Sequence, residues 1–168
     1  VNEGRQYTIS DIQLRGELIV EEEELRELIE LEPGDVLSQS ELTATSERLS
    51  RRLGREGYTF ANVNSIPESD SEDTAAVTFY VEPGKRTYVR RINFSGNVTT
   101  KDEVLRQEMT QMEGGVASTD RIEFSKDQLE RLGYFRSVSV DTQPVPGSDD
   151  LVDVNYSVEE QPTGSLSA

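Results

Sequence analysis

The segment Ile9-Ser-Asp-Ile-Gln-Leu-Arg-Gly16 decides the fold, because it returns as Val89-Arg-Arg-Ile-Asn-Phe-Ser-Gly96. Both runs alternate apolar and polar residues and stop at glycine, the pattern of a short strand with one buried face. Other landmarks recur in the same order. Leu31-Glu-Pro-Gly34 is matched with Met112-Glu-Gly-Gly115, and Leu53-Gly-Arg-Glu-Gly57-Tyr58 with Leu129-Glu-Arg-Leu-Gly133-Tyr134. Val77, Phe79, Val81 and Glu82 are matched with Val154, Tyr156, Val158 and Glu159. These separations are 80, 81, 76 and 77 positions, so the order holds and only loop-sized differences accumulate. Tandem copies of one small domain are the plan of a modular scaffold rather than of an enzyme.

Composition narrows the field. The 168 residues divide into two domains of roughly 80 each, and domains of that size bury modest cores. The net charge is −16, and it is uneven: residues 1–85 carry 19 acids against 8 bases, the remainder 14 against 9. A nucleic-acid backbone would be repelled, and no basic stripe with interleaved aromatics is present. With no Cys and no His, the common zinc and iron–sulfur ligand sets, thiol nucleophiles and disulfides are missing, and no cofactor is expected. No apolar run approaches the ~20 residues of a membrane-spanning helix.

Each copy reads as strand, helix, helix, strand, strand, an α+β domain in which two helices cover a three-stranded sheet. In the first, Glu21–Glu24 open a helix with Leu25, Leu28 and Ile29 on one stripe, closed by Pro33-Gly34. Ser38-Gln-Ser-Glu41 has the form of a capping box for a second helix, lined by Leu42, Leu49 and Leu53. Val63–Ile66 is a short strand, Pro67–Thr74 a hairpin loop, and Val77, Phe79 and Val81 a third strand. In the second copy, Tyr88, Arg90, Ile92 and Phe94 are expected on one strand face. Asn97 or Thr100, with Glu103, is expected to cap a helix whose buried stripe is Leu105, Met109 and Met112. Ser118 or Thr119 begins the next helix, with Ile122, Leu129 and Leu132 inward. Val138 and Val140 form the second strand, and Pro144–Asp150 is turn chemistry before Val152, Val154, Tyr156 and Val158. That last strand has the longest alternation and is placed at the sheet centre. The expected boundaries are 1–85 and 86–161, joined by the stiff Glu82-Pro-Gly-Lys-Arg86, with 162–168 a connector cut short.

Catalytic chemistry has little support. Among 33 acids, coincidental carboxylate pairs are unavoidable, and two small domains offer little cleft for a hydrolase. Glu21–Glu24 complement the start of a helix. Asp70-Ser-Glu-Asp73 and Asp149-Asp150 lack the alternating ligands of a calcium loop and are expected at hairpin tips. Gly114-Gly115 lacks the Lys-Ser/Thr of a phosphate loop. The sequons at Asn93 and Asn97 are weak patterns. Geometry is more promising, because a three-stranded sheet leaves an edge of unpaired main-chain groups to which extended peptides can add. Asn62, Val63, Asn64 and Ser65 form that edge in the first copy, and Ser137, Val138, Ser139 and Val140 in the second.

The repeated plan, with Gly16-Glu17 or Gly96-Asn97 after the first strand and Arg131-Leu-Gly-Tyr-Phe135 after the last helix, resembles the POTRA domain. Tyr88–Asn97, Lys101-Asp102, Val104–Arg106, Glu108-Met109, Gln111–Gly114 and Val145–Ser148 are similar to the last (fifth) POTRA domain of the outer-membrane β-barrel assembly factors. Asn2-Glu-Gly4 and Leu53–Tyr58 are similar to the domain before it, the fourth. The resemblance implies a non-enzymatic periplasmic scaffold with a membrane barrel beyond Thr163-Gly-Ser165, anchored in the Gram-negative outer membrane. It implies as partners the accessory lipoproteins of the assembly complex, BamD chiefly, together with unfolded outer-membrane proteins, and no nucleic acid. It places lipoprotein docking at Met112, Glu113 and Gly114, with Arg106 and with Asn93, which stands where relatives often carry a basic residue. A POTRA pair of a two-partner secretion transporter, recognising one exported client, is the alternative.

Overall fold

The alternating segments pair into two small mixed sheets, each built from one half of the chain. The computed structural model describes residues 6–162; the expectations for Asn2–Gly4 and for Thr163–Ser165 fall outside them. Contacts divide the chain into one unit of residues 1–54 and 60–84 and another of 55–59 and 85–168.

In the first unit, β1 (Thr8–Gly16), α1 (Glu22–Glu27), α2 (Gln39–Arg55), β2 (Asn62–Ser69) and β3 (Thr74–Glu82) follow in order. β3 lies between β1, which is parallel to it, and β2, which is antiparallel. Ala75, Val77, Phe79 and Val81 of β3 are all buried, so every second residue of the central strand enters the core. Leu42, Leu49 and Leu53 of α2 close over them together with Leu25 of α1. At about 25 cal/mol per Å² of apolar area, such side chains each contribute ~2 kcal/mol when buried.

The second unit repeats the plan with β4 (Tyr88–Ser95), α3 (Asp102–Arg106), α4 (Thr119–Arg131), β5 (Phe135–Pro144) and β6 (Leu151–Glu160), in strand order β4-β6-β5. Its core joins Ile92, Leu105, Ile122, Leu129 and the β6 residues Val152, Val154, Tyr156 and Val158. Tyr156 takes the place of Phe79, and its hydroxyl donates to the Ile122 carbonyl of α4 at 2.8 Å. Burial pushes that phenol up to about 12, and the bond satisfies its one polar atom.

Several expectations need correction. β2 continues through Ser69, leaving only Asp70–Asp73 as the loop, because its partner β3 begins at Thr74 and the ladder extends to Ser69 opposite Ala75. α1 ends at Glu27 with Leu28 as its C-cap, well before Pro33. Lys101 occupies the N-cap of α3, without a side-chain cap bond; Asn97 instead donates to the Thr100 carbonyl and to Asp102. α3 lasts five residues, so the helical stripe does not reach Met112, which is 63% exposed. In β4 a bulge between Val89 and Arg91 shifts the alternation. Val89 and Ile92 are therefore buried, whereas Tyr88 and Arg90 face solvent.

Gly96 ends β4 at φ +88°, where a Cβ would strike the Val158 carbonyl of the central strand. Gly114 has a similar φ of +82° and open space around it. Both Ala substitutions incur the positive-φ cost of about 1 kcal/mol, but Gly96→Ala adds a backbone clash. Urea unfolding should show Gly96→Ala destabilising the second unit by at least ~1 kcal/mol more than Gly114→Ala. Equal losses would contradict the close approach.

Candidate partner-docking site

The β4 bulge turns the main chain of Ile92 away from β6 while its side chain stays in the core. Both polar groups of that peptide are met by side chains. The Glu113 carboxylate accepts from the Ile92 N–H at 2.8 Å, and Arg106 donates to the Ile92 carbonyl at 2.9 Å. Arg106 and Glu113 also approach each other at 3.6 Å, both about half exposed. The Arg106 guanidinium lies 5.1 Å from the centre of the Phe94 ring, which stacks on Tyr156 at 5.8 Å. The pair thus closes a free sheet edge and leaves charge at its rim. Arg90, the bulged residue, reaches Asp153 on β6, and that hydrogen bond holds the Asp153 carboxyl below its ordinary range.

Glu113 is carried by a turn that a buried amide organises. Gln111 is 1% exposed. It donates to the carbonyls of Met112 and Val116 at 3.2 and 3.0 Å and accepts from the Ser118 N–H at 2.8 Å, at the N-cap of α4. The Gly114 N–H donates to the Val89 carbonyl at 2.7 Å and the Val89 N–H to the Gly115 carbonyl at 2.9 Å. With its backbone fixed at so many points, the turn presents Met112 outward on a rigid base. In the sequence Gln111 is only one residue of the Gln111–Gly114 motif, and its signal there is a lone amide among apolar positions.

The same bonds set the true register of the repeat. Gly34 donates to Ile9 and Ile9 to Asp35, so Gly34 matches Gly114 and the offset is 80 rather than 81. Thr45 and Ser125 bond to the carbonyls of Glu41 and Arg121 at the same offset. Pro33 is therefore the counterpart of Glu113, Glu32 of Met112, and Leu31 of Gln111. α2 has 17 residues against 13 in α4, one extra helical turn, which accounts for the smaller offsets downstream.

Met112, Glu113, Gly114 and Arg106 thus gather at one corner. Asn93 does not join them: its side chain donates to Asn155 on the open sheet face. Asn62, Val63, Asn64 and Ser65 lie on the outer strand β2 and Ser137, Val138, Ser139 and Val140 on the outer strand β5, each bordered by one strand only. Val63 and Val138 point into their cores, and Asn64 donates to Glu82. At the first hairpin tip, Asp70 accepts from Ser10 and Thr74, and those bonds lower its pKa. Asp149 pairs with Lys85. Among the described residues no group of three acids could hold a metal ion. At the far end of β6, Glu160 accepts from the N–H groups and hydroxyls of Thr99 and Thr100, chiefly the Thr99 N–H, and its pKa falls to about 2.

Comparison with known proteins gives the class. The POTRA family, described as a surface antigen variable number repeat, matches residues 7–84 and again residues 87–161. The chain belongs to the POTRA family and carries two copies of its domain, a non-enzymatic module. More particularly, it is similar to the outer membrane protein assembly factor BamA. It is 34% identical to that of Neisseria meningitidis serogroup B over 168 residues, 99% of this chain and 21% of the relative. It is 32% identical to that of Buchnera aphidicola over 167 residues, 99% of this chain and 27% of the relative. The chain therefore spans about a quarter or less of these relatives. Among solved structures, POTRA3-5 of Haemophilus influenzae BamA superposes with a TM-score of 0.83 at 36% identity, over 92% of this chain and 61% of that one. Haemophilus ducreyi BamA lacking POTRA domains 1-3 gives 0.75 at 34%, over 94% and 30%. The domains these two structures share are the fourth and fifth, the pair this chain resembles.

Two outcomes follow from the geometry. Gln111→Ala leaves the Val116 carbonyl and the Ser118 N–H without their partner and the Met112 carbonyl with the Gly115 N–H alone, and should destabilise the second unit by roughly 2–3 kcal/mol; amide exchange at Ser118 should accelerate with it. Unchanged exchange there would deny Gln111 its organising role. Glu160 favours its ionised form in the folded chain, so its stabilisation is present above pH 4.5 and is lost as pH falls toward 2. Unfolding midpoints followed across that window should drop more steeply for the wild type than for Glu160→Gln. Parallel curves would refute the clamp.

Proposed function

We propose that this chain is the membrane-proximal POTRA pair of an outer-membrane β-barrel assembly factor. It works in the periplasm as a non-enzymatic scaffold that docks accessory lipoproteins, BamD chiefly, and guides unfolded outer-membrane proteins to a barrel for insertion. One observation carries the docking role: an apolar Met112, 63% exposed, projects from a turn whose backbone is immobilised by a buried glutamine. An exposed thioether adapts its shape to a partner surface, and the fixed backbone beneath it adds no ordering cost of its own. The adjoining Arg106–Glu113 pair fixes register and partner choice more than raw affinity. The edges of β2 and β5 supply main-chain groups for client segments in extended form, a mode that demands little of client sequence. The similarity to BamA domains at over 30% identity favours this reading over a two-partner secretion transporter.

Binding of a soluble BamD lipoprotein to the immobilised chain tests it. Met112→Asp should weaken binding at least about tenfold, since a buried methionine contributes ~2 kcal/mol. Glu113→Lys should weaken it as well, and a thermal unfolding curve separates lost docking from a loosened β4 edge. Wild-type affinity in both variants would exclude the corner as the docking site.

A further inference from the structure

The two copies treat the outer edge of their first strand differently. Over the start of β1 the chain adds its own antiparallel segment. Gly34 donates to the Ile9 carbonyl at 2.7 Å, Ile9 to the Asp35 carbonyl at 2.8 Å, and Leu37 to the Tyr7 carbonyl at 2.7 Å. Residues 114–117 do the same on β4, and there Glu113 extends the coverage by one more step, onto the Ile92 N–H. In the first copy Pro33 occupies that position and has no side-chain acceptor. Ile12 pairs with Val77 as Ile92 pairs with Val154, across an equivalent bulge, so its N–H also faces outward. No side chain of the described residues accepts from it. Its carbonyl is held only at 3.3 Å, by an Arg26 that also pairs with Glu22.

A cleft of about 170 Å³ opens beside this residue, lined by Ile29, Leu31 and Pro33, by Asp11 and Glu32, and by Arg26, whose charge is met by Glu22. At the equivalent points the second copy has Arg91 for Asp11 and Met112 for Glu32, so the local charge is inverted. An unmet N–H asks for an acceptor, and with Arg26 paired to Glu22 the unpaired charge of Asp11 and Glu32 disfavours an anionic one. A main-chain carbonyl satisfies both conditions, and basic side chains beside it complement Asp11 and Glu32.

We propose that the β1 edge at Ile12 and Leu14 binds an extended, basic segment of a partner protein, in line with the chain's own residues 34–37. The segment's carbonyl accepts from the Ile12 N–H, an aliphatic side chain rests on Ile29, Leu31 and Pro33, and flanking Lys or Arg side chains reach Asp11 and Glu32. This edge is separate from β2 and from the Met112 corner, and it does not depend on the assembly-factor reading.

Amide-resolved NMR titration of the 168-residue chain with the capped pentapeptide Lys-Val-Lys-Val-Lys tests it, with Glu-Val-Glu-Val-Glu as the control. The Ile12 and Leu14 amides should shift with the basic peptide at millimolar concentration and not with the acidic one. Pro33→Glu, which installs the acceptor found in the second copy, should move the Ile12 amide without peptide and weaken binding at least fivefold. Asp11→Lys, which leaves the main chain untouched, should weaken it similarly. The proposal fails if shifts are confined to β2 and β5, if the acidic peptide binds equally well, or if both variants bind as wild type.

Discussion

A three-stranded sheet has two edges for every centre, and the treatment of those edges governs this chain. β3 and β6 spend their main-chain groups on both neighbours and are sealed in the core. The strands on either side each leave one row of donors and acceptors unmatched, and in a unit of about 80 residues no further element remains to cover them. The fold answers on one side with its own turn, which lies along the start of β1 and β4 as a fragment of a fourth strand. On the other side, β2 and β5 stay open and are kept soluble by Asn62, Asn64, Ser137 and Ser139. A domain built this way can associate through main-chain bonding, a suitable property for handling segments of no fixed sequence.

How much of this was readable depended on whether local periodicity survived into the fold. Val152, Val154, Tyr156 and Val158 alternate without interruption, and the strand they form is central as the alternation suggests. Leu42, Leu49 and Leu53 keep helical spacing and are buried. Reading failed where the period broke. The bulges at Ser10 and Arg90 add a residue that no composition signal marks, so Tyr88 and Arg90 were assigned to the wrong face. Met112 was placed on a helical stripe that ends at Arg106, because a five-residue helix followed by turns mimics a longer one over a few positions.

The candidate corner was legible through resemblance and not through geometry. Met112, Glu113, Gly114 and Arg106 do converge, yet the structure shows Glu113 already bonded within its own domain. Asn93 shares a strand with Ile92 but lies on the other sheet face. Gln111 carries no signal of its burial in the sequence, because a polar residue near a turn is usually solvated. Its burial is visible only once Val116 and Ser118 fold back over it. The adjacent glycines at 114 and 115 also allowed the repeat to be aligned one residue out, which concealed the exchange of Pro33 for Glu113.

That exchange belongs to a consistent set. Phe79, Leu31 and Pro33 of the first copy correspond to Tyr156, Gln111 and Glu113 of the second, an apolar residue replaced each time by one with a polar handle. In each case the handle meets a main-chain group: Tyr156 on Ile122, Gln111 on Met112, Val116 and Ser118, and Glu113 on Ile92. Such bonds add little net stability individually, but a misplaced partner costs much more than a bond gains. The second copy is thereby restricted to one arrangement of its α3–α4 turn, whereas the first is held there mainly by packing and by its loop strand. Rigidity at the turn suits the proposed docking through Met112. An unclosed β1 edge suits a surface that takes its last hydrogen bonds from outside. Duplication supplied the same sheet twice, and a few polar substitutions at the turn gave its two edges different fates.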